Sequence, residues 1–218
     1  LTGALKTSES IKNTLSKTRG ECSIEEIDDM VTSELGCATP FIFAPSNSYS
    51  RRELSMAAKH IITGKKMNGG CNCVSPQVVV IPSSWKQKDE FKESLLQRLK
   101  SIPNDACYYT GTKDKVESIV SNYKSEQIFQ TKGENIKRKG FSSDDDFVDP
   151  YLIDTGVYGN SNHNNVALKE EAFGPLLSFV ELQGELDENY LNDIAVPFVN
   201  NKDNIFGSLS CSLIYPKR

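Results

Sequence analysis

Apolar residues recur along this chain in two rhythms, one helical and one compact. Ile11 and Leu15, set among Lys and Ser at helical spacing, predict a helix over 6–18, and the Asp28-to-Glu34 stretch leading into Leu35-Gly36 reads as a strand or strand end meeting a turn. Pro40-Phe41-Ile42-Phe43-Ala44-Pro45 is a short apolar run between prolines, the mark of a buried strand. After a polar turn at 46–50, Leu54, Ala57, Ala58, Ile61 and Ile62 share one face of a helix over 51–65, which empties into a Met67-Asn68-Gly69-Gly70 loop. Val-rich Gln77 to Ile81, stopped by Pro82, predicts a strand; Phe91, Leu95, Leu96 and Leu99 predict an amphipathic helix over 86–100. Lys113 to Tyr123 is helical, and the polar 131–149 region, with Lys137-Arg138-Lys139 and Asp144-Asp145-Asp146, reads as an exposed insertion. A turn at Gly174-Pro175 precedes a strand, and Gly207 to Tyr215 predicts another. Helix, loop, strand, helix is the rhythm of an α/β fold.

Composition narrows the partners. A chain of 218 residues with 38% hydrophobic and 25% charged residues can bury a sizeable core. A net charge of -4 leaves no basic excess to neutralise phosphates, so nucleic acid is not an expected partner. The longest apolar run, Val78 to Ile81, falls far short of the about 18 residues of a membrane span. Six scattered cysteines, at 22, 37, 71, 73, 107 and 211, point to a reducing, cytoplasmic setting rather than a disulfide scaffold. With only His60 and His163, a His-rich metal site or a zinc finger is not expected. The opening Leu1-Thr2-Gly3, with neither Met nor a basic-then-apolar leader, reads as the start of an excised piece.

The candidate chemistry lies in Asn68-Gly69-Gly70-Cys71-Asn72-Cys73, a Gly-rich loop between a predicted helix and a predicted strand. Such a loop can expose a thiol and aim backbone N–H groups at an oxyanion, and nearby donors lower a thiol's pKa. It reads equally as a turn whose two cysteines merely pack. Glu34 and the Glu170-Glu171 pair, beside glycine turns, are the carboxylates that could serve the thiol.

Three ordered segments extend this reading: Glu34-Leu35-Gly36, then Asn68-x-Gly70-x-x-Cys73, then Glu171-Ala172-Phe173-Gly174-Pro175. Together they resemble the signatures of the aldehyde dehydrogenase superfamily, over roughly residues 1–215. The resemblance implies an α/β catalytic domain with a parallel-rich sheet flanked by helices. It implies that 1–36 closes the cofactor-binding domain and that 37–218 is the thiol domain, truncated at its C-terminus. It makes Cys73 the nucleophile and Glu34 the base, and puts Asn68, Gly70 and Asn72 in the thiol and oxyanion loop. Gly3, Gly36, Glu171 and Phe173 would contact NAD or NADP, with Glu171 on the ribose and Phe173 near the nicotinamide. An aldehyde is the implied substrate, a homo-oligomer the implied state of the parent protein. Cys71 is expendable in this register and is a disulfide candidate for Cys73 under oxidation.

The chain departs from the family pattern at Ala4, Cys37 and Ala38, which mark a divergent branch. Since much of the dinucleotide fold lies upstream, the piece alone is expected to be inactive. Two alternatives stand beside the oxidative reading: an acylating member that passes the acyl group to coenzyme A, and a catalytically silent structural or partner-binding relative.

Overall fold

The computed structural model describes all residues except 21, 45, 47, 105, 133, 135–146, 160–164, 188, 208 and 217–218. The Lys137-Arg138-Lys139 and Asp144-Asp145-Asp146 clusters and His163 therefore lie outside the described residues.

The centre is a six-stranded sheet of order β5-β6-β7-β4-β3-β8, where β3 is Thr39–Phe43, β4 Pro76–Pro82, β5 Ile128–Gln130, β6 Tyr151–Val157, β7 Leu176–Leu182 and β8 Ser212–Ile214. All neighbours run parallel except the edge pair β5–β6. Every residue of β3, β4 and β7 is buried, because a parallel strand covered on both faces has no solvent side. Side chains alternate between the two faces. Phe41, Phe43, Val79, Ile81, Leu177 and Phe179 meet helices α3 (Arg51–Lys66) and α4 (Lys88–Ser101) on one side. Ile42, Val78, Val80, Val180 and Leu182 meet Leu168, Tyr190, Phe198 and Ile205 on the other.

Local chemistry sets the ends of these elements. Ser50 caps α3 through a reciprocal pair: its hydroxyl accepts from the Glu53 N–H, and the Glu53 carboxylate accepts from the Ser50 N–H. The Lys66 ammonium, buried at the other end of α3, donates to the Leu99 and Ile102 carbonyls and so closes the C-terminus of α4. Burial lowers the Lys66 pKa to about 8, against the raising effect of Asp149.

A second, two-stranded parallel sheet joins β1 (Thr2–Gly3) to β2 (Glu34–Leu35), with α1 (Leu5–Arg19) and α2 (Ile24–Met30) between them in the chain. Helix α2 corrects the strand-like reading of residues 28–30. Ser23 and Glu26 form a capping box there, and only Glu34–Leu35 is strand. Likewise β8 shrinks to three residues at a sheet edge, and the flanks of the polar 131–149 region are buried at Thr131, Phe147 and Val148. Beyond β7, a widened six-residue turn, Tyr190–Ala195, passes into α7 (Val196–Asn200), where Pro197 supplies no N–H donor. Two further helices are α5 (Thr112–Val120) and α6 (Val166–Lys169).

Candidate active site

The thiol loop runs from the C-terminus of α3 to the start of β4. Met67–Gly70 makes a tight turn in which Asn68 (φ 54), Gly69 (φ 62) and Gly70 (φ 82) are all left-handed, conformations that Gly and Asn adopt most readily. Gly70 is required for a second reason. A Cβ there would lie 2.4 Å from the Gly174 carbonyl, so the turn sits directly on the Gly174-Pro175 peptide. The Lys65 ammonium, 1% exposed, donates to that same Gly174 carbonyl over 3.1 Å. Burial lowers the Lys65 pKa to about 7, opposed by the nearby Cys71 and Glu171.

Asn72 shapes the next turn. Its side-chain Oδ1 accepts from the Val74 N–H at 3.0 Å, and its carbonyl accepts from the Ser75 N–H. Cys73 is thereby held at the exposed tip of the loop, its thiol 3.8 Å from Asn72 Oδ1. Among the described residues, none accepts a backbone hydrogen bond from the Cys73 N–H.

Cys71 is turned the other way. Its buried sulfur lies 3.3 Å from the Phe173 carbonyl and 3.8 Å from the Thr112 hydroxyl. Its pKa falls to about 6, chiefly through the Cys107 thiol and then through the Tyr108 and Tyr109 N–H groups and the Thr112 hydroxyl, against the opposing effect of burial. The two sulfurs of the loop, Cys71 and Cys73, thus contact different groups.

Glu171 is anchored at a distance in sequence. Its Oε1 accepts from the Cys37 N–H at 3.1 Å, and a Cβ at Gly36 would lie 1.9 Å from its Oε2. Gly36 is thus the gap into which the carboxylate fits. Burial raises the Glu171 pKa, while the Cys37 N–H, Lys115 and Lys65 act to lower it. Gln77, 1% exposed on β4, clamps the segment before it: the amide nitrogen donates to the Ala167 and Glu170 carbonyls, and the amide oxygen accepts from the Ala172 N–H. Phe173 follows with φ 45, a strained angle for a non-glycine residue, and its ring tilts against Tyr109 at 5.3 Å.

These segments converge on one cavity of about 450 Å³. Gly3, Glu34, Gly36, Cys73, Glu171 and Phe173 all line it, on the β1–β2 sheet, the thiol loop and the Glu171–Pro175 turn. Asn68, Gly70 and Asn72 shape the loop and stand outside the lining. Tyr109, Thr110, Gly111, Thr112 and Lys115, at the start of α5, also line the cavity. Sequence reasoning misses these, together with Lys65 and Gln77, because nothing in the local pattern tells which loop will face the thiol. Among the described residues no group of three or more His, Cys, Asp or Glu could hold a metal ion, and no helix is long and apolar enough to cross a membrane.

A parallel-rich sheet flanked by helices, with a cavity beside it lined by a thiol and two carboxylates, defines the class: an α/β fold with a thiol-bearing cavity. The family follows from comparison. The family model of the aldehyde dehydrogenase family matches residues 1–192, and the chain belongs to that family. It is 23% identical over 173 residues to the 4,4'-diaponeurosporen-aldehyde dehydrogenase of Staphylococcus aureus, covering 79% of this chain and 34% of the relative. It is 28% identical over 177 residues to mouse aldehyde dehydrogenase family 3 member A2, covering 77% of this chain and 32% of the relative. The chain therefore spans about a third of the length of the curated relatives it matches. Among solved structures, an aldehyde dehydrogenase from Burkholderia cenocepacia aligns over 100% of this chain and 41% of its own, with TM-score 0.67 at 17% identity. The betaine aldehyde dehydrogenase of Staphylococcus aureus, in complex with NAD+, aligns over 100% of this chain and 43% of its own, with TM-score 0.61 at 18% identity. The fold is theirs: a mostly parallel sheet flanked by helices.

Proposed function

We propose that this chain is the thiol-bearing portion of a nicotinamide-dependent aldehyde dehydrogenase that oxidises an aldehyde to a carboxylic acid. One observation carries the reading: Cys73, Glu34, Glu171 and Phe173, from three separated segments, line a single cavity. In this reading residues 1–36 close the cofactor-binding domain and residues 37–218 form the thiol domain. A cytoplasmic location suits six cysteines too sparse for a disulfide scaffold.

Cys73 attacks the aldehyde carbonyl carbon, and the developing oxyanion is received by the Cys73 N–H at the loop tip. A nicotinamide held against Phe173 and Glu171 would supply the hydride acceptor, leaving the acyl group on Cys73 as a thioester. Glu34 then takes a proton from water as that water attacks the thioester, releasing the acid and returning the thiol. The pocket walls suit a dinucleotide of NAD or NADP type. A side chain at Gly3 would meet nothing within 4 Å, so the β1 edge is bare, and the Phe173–Tyr109 pair supplies an aromatic wall. Glu171 Oε2 is the acceptor for a ribose hydroxyl.

The test is nicotinamide reduction by the natural protein that carries this chain, with short, long and aromatic aldehydes. Cys73→Ala is expected to abolish turnover, and Glu34→Gln to stop after one burst of hydride transfer. Undiminished turnover by Cys73→Ala would overturn the assignment. No reduction by the folded wild type would favour the catalytically silent relative, and acid release only with coenzyme A present the acylating one.

A further inference from the structure

Cys71 is a thiol beside the cavity that this mechanism leaves unused. Its residue is 8% exposed, yet its sulfur is ringed by donors from the segment that opens α5, and the walls nearest to it, Thr112 and Phe173, also line the cavity. A small oxidant in the cavity is thus one side chain away from the sulfur.

The second thiol is built in beside it. Cys107 is half-buried, and its thiol is the leading influence on the Cys71 sulfur. It also reaches back to the Gly69 carbonyl, 3.4 Å from its sulfur. The two backbones are in contact. A Cβ at Gly69 would lie 3.0 Å from the Cys107 N and Cα, so only glycine lets the 106–107 segment approach the turn this closely. Two cysteines from opposite sides of one backbone contact, one with the thiolate character and one adjacent to resolve it, form the arrangement of a peroxide-sensitive pair.

We propose that Cys71 and Cys107 form such a pair, oxidised by hydrogen peroxide to a reversible disulfide behind the thiol loop. The Cys71 thiolate attacks one peroxide oxygen: the S–O bond forms, the O–O bond breaks, and hydroxide leaves. The Cys107 sulfur then attacks the Cys71 sulfenic sulfur: the S–S bond forms, the S–O bond breaks, and the departing hydroxide leaves as water with the Cys107 proton. Two thiols are oxidised by two electrons and one peroxide is reduced to two waters. The bond ties the Asn68–Cys73 loop to the segment that opens α5, and a dithiol reductant restores both thiols.

The test is peptide mapping by mass spectrometry after the folded chain is treated with equimolar peroxide and its remaining thiols are alkylated. This readout needs no turnover, so it is independent of the dehydrogenase reading. The expected product links the peptide carrying Cys71 and Cys73 to the peptide carrying Cys107, with loss of two hydrogens and reversal by dithiothreitol. The link is retained in Cys73→Ser and lost in Cys107→Ser, and the wild-type map stands on its own if Cys107→Ser does not fold. A Cys71–Cys73 bond overturns the proposal. So does preferential oxidation of Cys73 with Cys71 and Cys107 both alkylated.

Discussion

At the residue scale, the surroundings of the Cys71 sulfur favour its thiolate. The Cys107 thiol first, then the Tyr108 and Tyr109 N–H groups and Thr112, lower its pKa from 9.0 to about 6, with burial opposing them. Other titratable groups act in the same space: Lys65, which feels the Cys71 charge, and Glu171 beyond it. The sign follows by linkage. A thiol with a folded pKa below its unfolded value contributes stability that is complete above pH 9.0 and is lost as pH falls through about 6. Lys65 acts in the same sense, since its folded pKa of about 7 against 10.5 makes stability climb between those values. Thiolate ultraviolet absorbance in the folded chain is therefore expected to show a step near pH 6 that disappears in Cys71→Ser and persists in Cys73→Ser. A step that follows Cys73 instead would refute the assignment. Gly70 supplies the second residue-scale prediction. With φ 82 and the Gly174 carbonyl 2.4 Å from where an alanine methyl would stand, Gly70→Ala must both strain the backbone and move a neighbour. A loss of more than about 2 kcal/mol in urea unfolding is expected.

At the scale of elements, the Glu171–Pro175 turn has no hydrogen-bonded ladder of its own and is held from outside by Gln77. Three hydrogen bonds run from that one amide to the 167–172 segment. Gln77→Leu keeps the volume but leaves the buried Ala172 N–H without its acceptor, so a loss of about 3 kcal/mol is expected in chemical denaturation. A change below about 1 kcal/mol would mean that the Lys65 and Cys37 contacts hold the turn without Gln77. Ser50→Ala removes one half of the α3 cap and should cost about 1 kcal/mol, restored by Ser50→Asp. Legibility at this scale follows local signal. Helices α3 and α4 and strands β3, β4 and β7 are readable because each presents a helical stripe or a run of buried apolar residues. Strand β6, with Asp154 and Gly156 breaking its pattern, is not, and neither is the widened turn before α7. Helix α2 escapes the pattern although Ser23-x-x-Glu26 announces it, because its acidic run masks the helical start.

Across the whole molecule, burial is uneven. Helix α3 buries Leu54, Ala57, Ala58, Ile61, Ile62, Lys65 and Lys66, whereas α1 buries only Ser8, whose hydroxyl meets that of Ser33 at 3.0 Å. Elements with few buried apolar side chains open most easily. Hydrogen exchange is expected to be faster throughout α1 than in α3 and β4; equal protection would show that the β1–β2 unit unfolds only with the main sheet. The single tryptophan, Trp85, stacks on Phe43 at 5.3 Å inside the main core, so its emission reports that sheet alone. The amino-acid sequence by itself determined the α/β class, the central strands and the order of the three motifs, since these rest on patterns local to each segment. Tertiary structure alone decided that Gly36 makes room for Glu171, that Gln77 holds the turn beside it, and that the Cys71 sulfur meets Thr112 and Phe173 while the 106–107 segment packs on Gly69. The physical reason is range: each of these is a contact between segments far apart in the chain, made by packing that no local pattern encodes.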